Sequence, residues 1–564
     1  MSIHAQRIFP GRLKQAFSAE VARLLERRAV SLLWAKRPEL WTHDPGHARL
    51  IAHRLGWLDA PHTMLAEVER LRAFACEVAG EARHVVVLGM GGSSLAPEVF
   101  SLSFPAPPGM SFSVLDSTVP AAVLAAERAV DLRRTLFLVA SKSGTTIETL
   151  SQFRYFYARV EAAAGQPAGR NFIAITDPSS PLEALARERS FRHVFLNPSD
   201  IGGRYSALSY FGLVPAALWQ IDLDGVLQSA LAMREACGPA AAPEVNPALQ
   251  LGALLGAAAA AGLDKLFLLA TPRLAPLTDW IEQLVAESTG KEGKGIVPAA
   301  REVAGSAELY AEGCSVATLA FDGDERSELD RLTGALERLG VPLVDIRLSR
   351  GEDLGGEFFK WEAATAIAGA VLGVNPFDEP NVKESKDNTA RILAQRSAAG
   401  ILLASDALLN LFAGSAARHR LAASSLSEAL RGFFALRRPG DYLALLAFLP
   451  RAEPWAGSLD AIRLLLRDRL RLPVLVGYGP RYLHSIGQLY KGGPAAGLFL
   501  MITAEDPEDL PVPEAGYTFG ALKMAQAHGD FEALDRRGKP VIRVHLAGLE
   551  AGLERLRQLL VEAA

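Results

Sequence analysis

Short, uninterrupted apolar runs alternate with helical segments through most of this chain, and that pattern limits the fold more than any other feature. HVVVL (84–88), FSVLD (112–116), TLFLVAS (135–141), NFIAITD (171–177) and HVFLNP (193–198) form a first series. KLFLLATP (265–272), CSVATLAF (314–321) and VPLVDIRL (341–348) form a second, and LPVLVGYG (472–479), GLFLMIT (497–503) and PVIRVHL (540–546) come near the end. Strands that do not alternate apolar with polar residues are buried on both faces, and interleaved helices make the sheet parallel. The fold class is therefore α/β, with parallel sheets sandwiched by helices and a helical segment before residue 60.

The expected organisation is an N-terminal helical segment over 1–60, a first α/β domain over 61–240 and a second over 241–564. The Leu-, Ala- and Arg-rich stretch around 390–470 reads as a helical insertion in the second, and GPAAAPEVNP (238–247) as a linker. TLFLVASKSGTTIETL and KLFLLATPRLAPLTDWIEQL share a strand–turn–helix pattern that suggests one duplicated unit, the second copy without the hydroxyl-rich loop.

Composition narrows the function. With 59 Lys+Arg against 63 Asp+Glu the net charge is −4, which argues against a nucleic-acid surface as the main role. A 49% hydrophobic content excludes a largely disordered chain. LGALLGAAAAAGL, Leu251 to Leu263, is shorter than the ~18 apolar residues of a membrane span and reads as a buried helix. Cys76, Cys237 and Cys314 are far apart, with no CxxC, which suits a reducing cytoplasm. The N-terminus has no apolar signal region.

Two loops follow strands and open helices: GMGGSSL (Gly89–Leu95) and SKSGTTIET (Ser141–Thr149). Helix N-termini offer free N–H groups to anions, and glycines let a ligand approach the backbone. Ser141, Ser143, Thr145 and Thr146 add hydroxyl donors, so the pair of loops suits a phosphate monoester; neither loop is a Walker A motif. IGGRYS (201–206) delivers Arg204 on two glycines, a group able to orient a sugar phosphate or stabilise an enediolate. In DWIEQLVAESTGKEGKG (279–295), Gln283 and Glu287 are four apart and share a helix face, so Glu287 is a candidate general base. Lys386 in NPFDEPNVKESKDN and His484 in LHSIGQLYKGG complete the candidates. No HExxH and no ligand-spaced cluster of His, Cys and carboxylates occurs, so the expectation is chemistry without metal or other cofactor.

Taken together, GMGGSSLAP, SKSGTTIET, GGRYS, Q-x3-E-S-x-G-K, NPFDEPNVKESK and LHSIGQ resemble motifs of the glucose-6-phosphate isomerase (phosphoglucose isomerase) family. ESTGKEGKGIVP and YTFGALKMAQAHGDFEAL are most similar to the isomerase half of bifunctional transaldolase/phosphoglucose isomerases. The resemblance implies two sugar-isomerase (SIS) units, and interconversion of glucose 6-phosphate and fructose 6-phosphate through a cis-enediol. It places Gly92, Ser93, Ser141, Ser143 and Thr146 at the phosphate and Gln283 at the sugar. Glu287 would be the base, Arg204 would stabilise the enediolate, His484 would open the ring and Lys386 would stand by the ring oxygen. It also implies a cytoplasmic enzyme of glycolysis and gluconeogenesis that binds hexose 6-phosphates and forms a homodimer, with no nucleic-acid or membrane partner. In many members the histidine motif precedes the lysine motif; here His484 follows Lys386, Glu379 replaces a frequent Gln, and Lys523 in FGALK is a second candidate for the lysine.

Two other readings use the same loops. A non-catalytic sugar-phosphate-binding regulator needs the phosphate loops but no base, whereas Glu287, Arg204, Lys386 and His484 are all present. An amidotransferring synthase wants an N-terminal nucleophilic cysteine, and the first here is Cys76, within a helix.

Overall fold

The computed structural model describes residues 5–164, 168–380, 389, 391–393, 400–421 and 424–564. The chain divides into two compact units. The first comprises Met1–Leu115 and Val130–Asp378, the second Asp116–Ala129 and Glu379–Ala564.

The first unit contains two sheets. The first described element is a strand, β1 (Ala5–Phe9), where the sequence suggested only helices. The first sheet holds β2 (His84–Gly89), β3 (Ser111–Leu115), β4 (Thr135–Ala140), β5 (Phe172–Thr176) and β6 (His193–Leu196) in the order β3-β2-β4-β5-β6, all parallel. β3 lies to one side of β2 and β4 to the other, so the winding reverses between β2 and β4. The crevice beyond the carboxyl ends at such a reversal is where open α/β sheets bind ligands.

The second sheet holds β7 (Lys265–Ala270), β8 (Val297–Glu302), β9 (Cys314–Phe321) and β10 (Leu343–Leu348), in the order β1-β10-β9-β7-β8. Its strands are parallel except β1, which pairs antiparallel with β10. β8 carries Pro298 and charged residues and, among the described residues, pairs only with β7; a proline fits such an edge position, and it also hid the strand from an apolar pattern.

Both sheets share one hydrophobic core, so residues 61–240 and 241–378 are not separate bodies. The helices Pro247–Ala260 and Leu354–Leu372 pack together within that core. Pro247–Ala260 is the expected buried Ala-rich helix, and Asn246, in the expected linker, caps it by accepting from Leu249 N. The 238–247 stretch therefore joins two helices of one unit and separates no domains.

The second unit is a third α/β sheet, which replaces the helical insertion expected around 390–470. It holds β11 (Ile401–Ser405), β12 (Leu409–Ala413), β13 (Leu443–Phe448), β14 (Val474–Tyr478), β15 (Leu498–Ala504) and β16 (Val541–Leu546), in the order β11-β12-β16-β15-β13-β14. β13 to β16 pair in parallel, and the β11–β12 hairpin adds antiparallel to β16. Asp406 fixes the hairpin turn, its carboxylate accepting from Leu408 N and Leu409 N at 2.9 Å each. This sheet has its own core, so the expected single domain over 241–564 divides near residue 378. Among the described residues, no helix is long and apolar enough to cross a membrane.

Candidate active site

Gly89 and Ala140 are register partners at the carboxyl ends of β2 and β4, so the two hydroxyl-bearing loops leave the sheet side by side. After β2 a 3-10 turn, Gly91–Ser93, leads into the helix Leu95–Ser103; Gly92 and Ser93 are buried. After β4 the loop Ser141–Thr146 opens the helix Ile147–Ala164. There Ser141 Oγ is 2.9 Å from Thr146 Oγ1 and accepts from Gly144 N at 3.2 Å, while Ser143 Oγ is 2.9 Å from Thr145 Oγ1. Gly144 makes the turn at φ +67°, a left-handed conformation, and a Cβ there would lie 2.6 Å from Leu182 N. Ser143 and Thr145 are exposed. Lys142 is not a free cation of this loop. Its ammonium donates to Asp177 Oδ2 at 2.5 Å and Ser199 O at 3.0 Å, and burial works against that pair by raising the Asp177 carboxyl. Hydroxyls and helix-terminal amides are thus the donors this loop offers to an anion.

Arg204 sits on the 3-10 turn Gly203–Tyr205, which packs against Gly91–Ser93. Gly92 makes this possible: a Cβ at that position would stand 1.9 Å from Gly203 O. Gly92 therefore serves here as the point where two backbones touch. Arg204 is buried, and its guanidinium is held on three sides. Nε donates to Ser288 Oγ at 2.8 Å, and Nη2 to Pro376 O at 2.8 Å and Asp378 O at 2.9 Å. Nη1 lies 3.2 Å from Glu287 Oε1.

Glu287 and Gln283 lie on the helix Ala275–Thr289, which follows β7 of the second sheet and packs against both 3-10 turns of the first. Pro276 suits its first turn, where an N–H would be unpaired, and Gly290 ends it. Almost every side chain of its last two turns is buried, so this is a core helix rather than a solvated charged end. The four-residue spacing brings Gln283 Nε2 to donate to Glu287 Oε2 at 3.1 Å. Each carboxylate oxygen of Glu287 thus has a fixed donor, Arg204 on one and Gln283 on the other.

Sequence reasoning gave no role to the residues behind this pair. Ser288 receives Arg204 Nε, and the Tyr205 hydroxyl stands 3.3 Å from Ser288 Oγ; burial pushes the Tyr205 phenol well up, which keeps it neutral. Lys291 Nζ donates to Asn375 O at 2.7 Å and to Asp378 O and Oδ1 at 2.6 Å each. Lys291 thus holds the same NPFD segment whose carbonyls receive Arg204. STGK and NPFDEP were visible as motifs; that one clamps the other was not.

The remaining candidates belong to the second unit or fall outside the described residues. His484 ends the 3-10 turn Arg481–His484 after β14 in the second unit, half-buried. That turn is anchored within its own unit by Arg481 Nη1 on Asp116 Oδ2 and by the Tyr482 hydroxyl on Asp530 Oδ2, both at 2.6 Å. Lys523 is buried and donates to Ala504 O at 2.9 Å and Asp506 Oδ2 at 2.6 Å; burial lowers its pKa. Lys386 lies outside the described residues. Among the described residues, no group of three or more His, Cys, Asp or Glu is placed to hold a metal ion.

A family model described as phosphoglucose isomerase matches residues 58–303. A glucose-6-phosphate isomerase of Thermus thermophilus is 31% identical over 403 residues, covering 62% of this chain and 94% of that protein. Glucose-6-phosphate isomerase of Symbiobacterium thermophilum is 30% identical over 404 residues, covering 60% of this chain and 87% of its own. Of solved structures, a Thermus thermophilus protein described only as hypothetical superposes with a TM-score of 0.60 at 28% identity. The match covers 69% of this chain and 100% of that one. A glucose-6-phosphate isomerase from Chlamydia trachomatis shares the fold, with a TM-score of 0.54 at 19% identity over 68% of this chain and 86% of its own.

Proposed function

The chain belongs to the phosphoglucose isomerase family and is an aldose–ketose isomerase that interconverts glucose 6-phosphate and fructose 6-phosphate, and we propose that it does so by proton transfer at Glu287. The observation that carries this reading is the placement of Glu287. A carboxylate is built into a core helix, held by Gln283 and Arg204, and packed against the loop that bears Ser93.

In this reading Ser93, Ser141, Ser143 and Thr146, with the amides opening the helix Ile147–Ala164, take the phosphate, which places the sugar carbons toward Glu287. From the open-chain aldose, Glu287 removes the proton from C2 and the C1 oxygen gains a proton, giving the cis-enediol. Glu287 then returns its proton to C1, and the C2 hydroxyl proton leaves as the ketone forms. One carboxylate serves both directions, as general base and then as general acid. Arg204 supplies positive charge beside the developing enediolate and fixes Glu287 in its rotamer. Gln283 orients the second carboxylate oxygen and lines the sugar site. His484 and Lys386 are proposed for ring opening, on the motif resemblance alone.

We also propose the dimer usual in the family, and a reducing cytoplasm, which suits three free thiols. A purely regulatory sugar-phosphate binder would have no use for a carboxylate built in as Glu287 is. The test is a coupled assay on the purified full chain: fructose 6-phosphate is supplied, and glucose 6-phosphate is read through its dehydrogenase. Turnover at ordinary enzyme rates is expected. Binding of hexose phosphate without turnover would reinstate the regulator.

A further inference from the structure

At the opposite, amino-terminal edge of the first sheet there is a second concentration of anion-binding groups. A cavity of about 230 Å³ opens there, lined among others by Arg133, Arg134, Arg170, Arg192, Asn171 and Glu81. Four arginines and one glutamate thus line it. β4 starts at this cavity with Thr135 and ends at the Ser141 loop. A strand of that length puts roughly 20 Å between the two ends, so one small ligand cannot occupy both.

Not all four arginines are available. Arg192 donates Nε to Arg170 O at 2.8 Å and pairs with Glu77 at 3.4 Å and Glu81 at 2.5 Å. Arg133 donates Nε to Ala163 O at 2.8 Å, near the end of the helix Ile147–Ala164. The negative end of a helix attracts cations, and that alone accounts for Arg133. It does not account for Arg134, which is half-buried, or Arg170. Among the described residues neither has an acidic partner within ion-pair distance, although Arg170, after Arg192, helps hold the Glu81 carboxyl below its usual range from farther off. Asn171 is held by the backbone, its Nδ2 donating to Leu132 O and Thr135 O.

We propose that this cavity is a second anion site, gripped by Arg134 and Arg170 with help from the Nη groups of Arg133, for a compact ligand carrying more than one phosphate. Guanidinium forks match phosphate oxygens two at a time, and two such forks at one cavity favour a diphosphate over a monophosphate. The size selects further: the cavity is below the ~300 Å³ at which drug-sized pockets begin, so it fits a pyrophosphate or a short bisphosphate rather than a nucleotide.

Inorganic pyrophosphate is the probe, titrated calorimetrically into the full chain with and without saturating fructose 6-phosphate. Binding is expected to persist when the substrate site is filled. In the Arg134→Ala/Arg170→Ala double variant it should weaken by about tenfold or more, the loss of ~1.4 kcal/mol or more. The kcat and KM for fructose 6-phosphate should stay unchanged. Absence of binding, complete displacement by fructose 6-phosphate, or unchanged affinity in the double variant would each overturn the proposal. The displacement arm uses wild-type protein and stands even if the variant folds poorly.

Discussion

Arg204 Nη1 lies 3.2 Å from Glu287 Oε1, with the two side chains 4% and 11% exposed. A charge pair taken so far out of water is held in place by what surrounds it, since desolvation offsets much of the attraction. Here the surroundings are Ser288, Pro376 O and Asp378 O on the arginine and Gln283 on the glutamate. Removing one partner takes this contact from the other charge while leaving it buried. Arg204→Ala should therefore cost about 3–5 kcal/mol of stability, read from denaturant midpoints. Arg204→Lys keeps the charge but cannot reach four directions at once, so it should recover part of the stability and little of kcat.

The Gly92–Gly203 contact is a second place where one atom matters. In Gly92→Ala the new Cβ would fall 1.9 Å from a backbone oxygen, so the turn carrying Arg204 must move. Overpacking of this kind costs about 1–3 kcal/mol. The expected signature is a fall in kcat from the displaced Arg204, accompanied by a rise in KM because Ser93 lies on the same turn as Gly92. A variant with wild-type kcat would mean the two turns separate freely.

Ser143 is exposed, and among the described residues its hydroxyl bonds only within its own loop, to Thr145 Oγ1 and from Thr145 N. Ser143→Ala should leave the melting temperature nearly unchanged. A lost hydrogen bond to a charged phosphate is worth about 1.5–3 kcal/mol, so KM for fructose 6-phosphate should rise about tenfold or more. Steady-state kinetics on the variant decides it: an unchanged KM would remove Ser143 from the phosphate site.

The three thiols differ in environment. Burial pushes both Cys237 and Cys314 up to about 12, while Cys76 is exposed. The thiolate is the reactive form, so at about pH 8 a disulfide reagent should label Cys76 alone in the native protein and all three after denaturation. Rapid native labelling of Cys237, followed by mass spectrometry, would show that the core around it opens.

All eleven apolar runs read from the sequence as strands are strands in the structure, because uninterrupted Val, Ile, Leu and Phe between helices leave few other folds. The ones passed over lack that signature. β13 is LALLAF, six buried residues without a β-branched side chain; by propensity it reads as helix, and its place between β14 and β15 overrides that. β1 and β8 are edge strands with charged residues, and β11 is an exposed edge. Of the candidate site, Gln283 and Glu287 were legible because helical spacing forces them together. The meeting of Glu287 with Arg204 was not, since the two come from different sheets and 83 positions separate Arg204 from Glu287 in the chain. Nor was the anchoring by Ser288, Lys291 and Asp378, which depends on where the NPFD carbonyls point.

The most direct test of the account is the turnover of Glu287→Gln. Glutamine keeps the shape and can still face Arg204 and Gln283, but it cannot take a proton from carbon. In the coupled assay kcat should fall by at least about 10²–10⁴-fold, while a non-reacting hexitol 6-phosphate still binds with near wild-type affinity. Wild-type turnover in a folded Glu287→Gln protein would contradict the account, because another group would then be moving the proton.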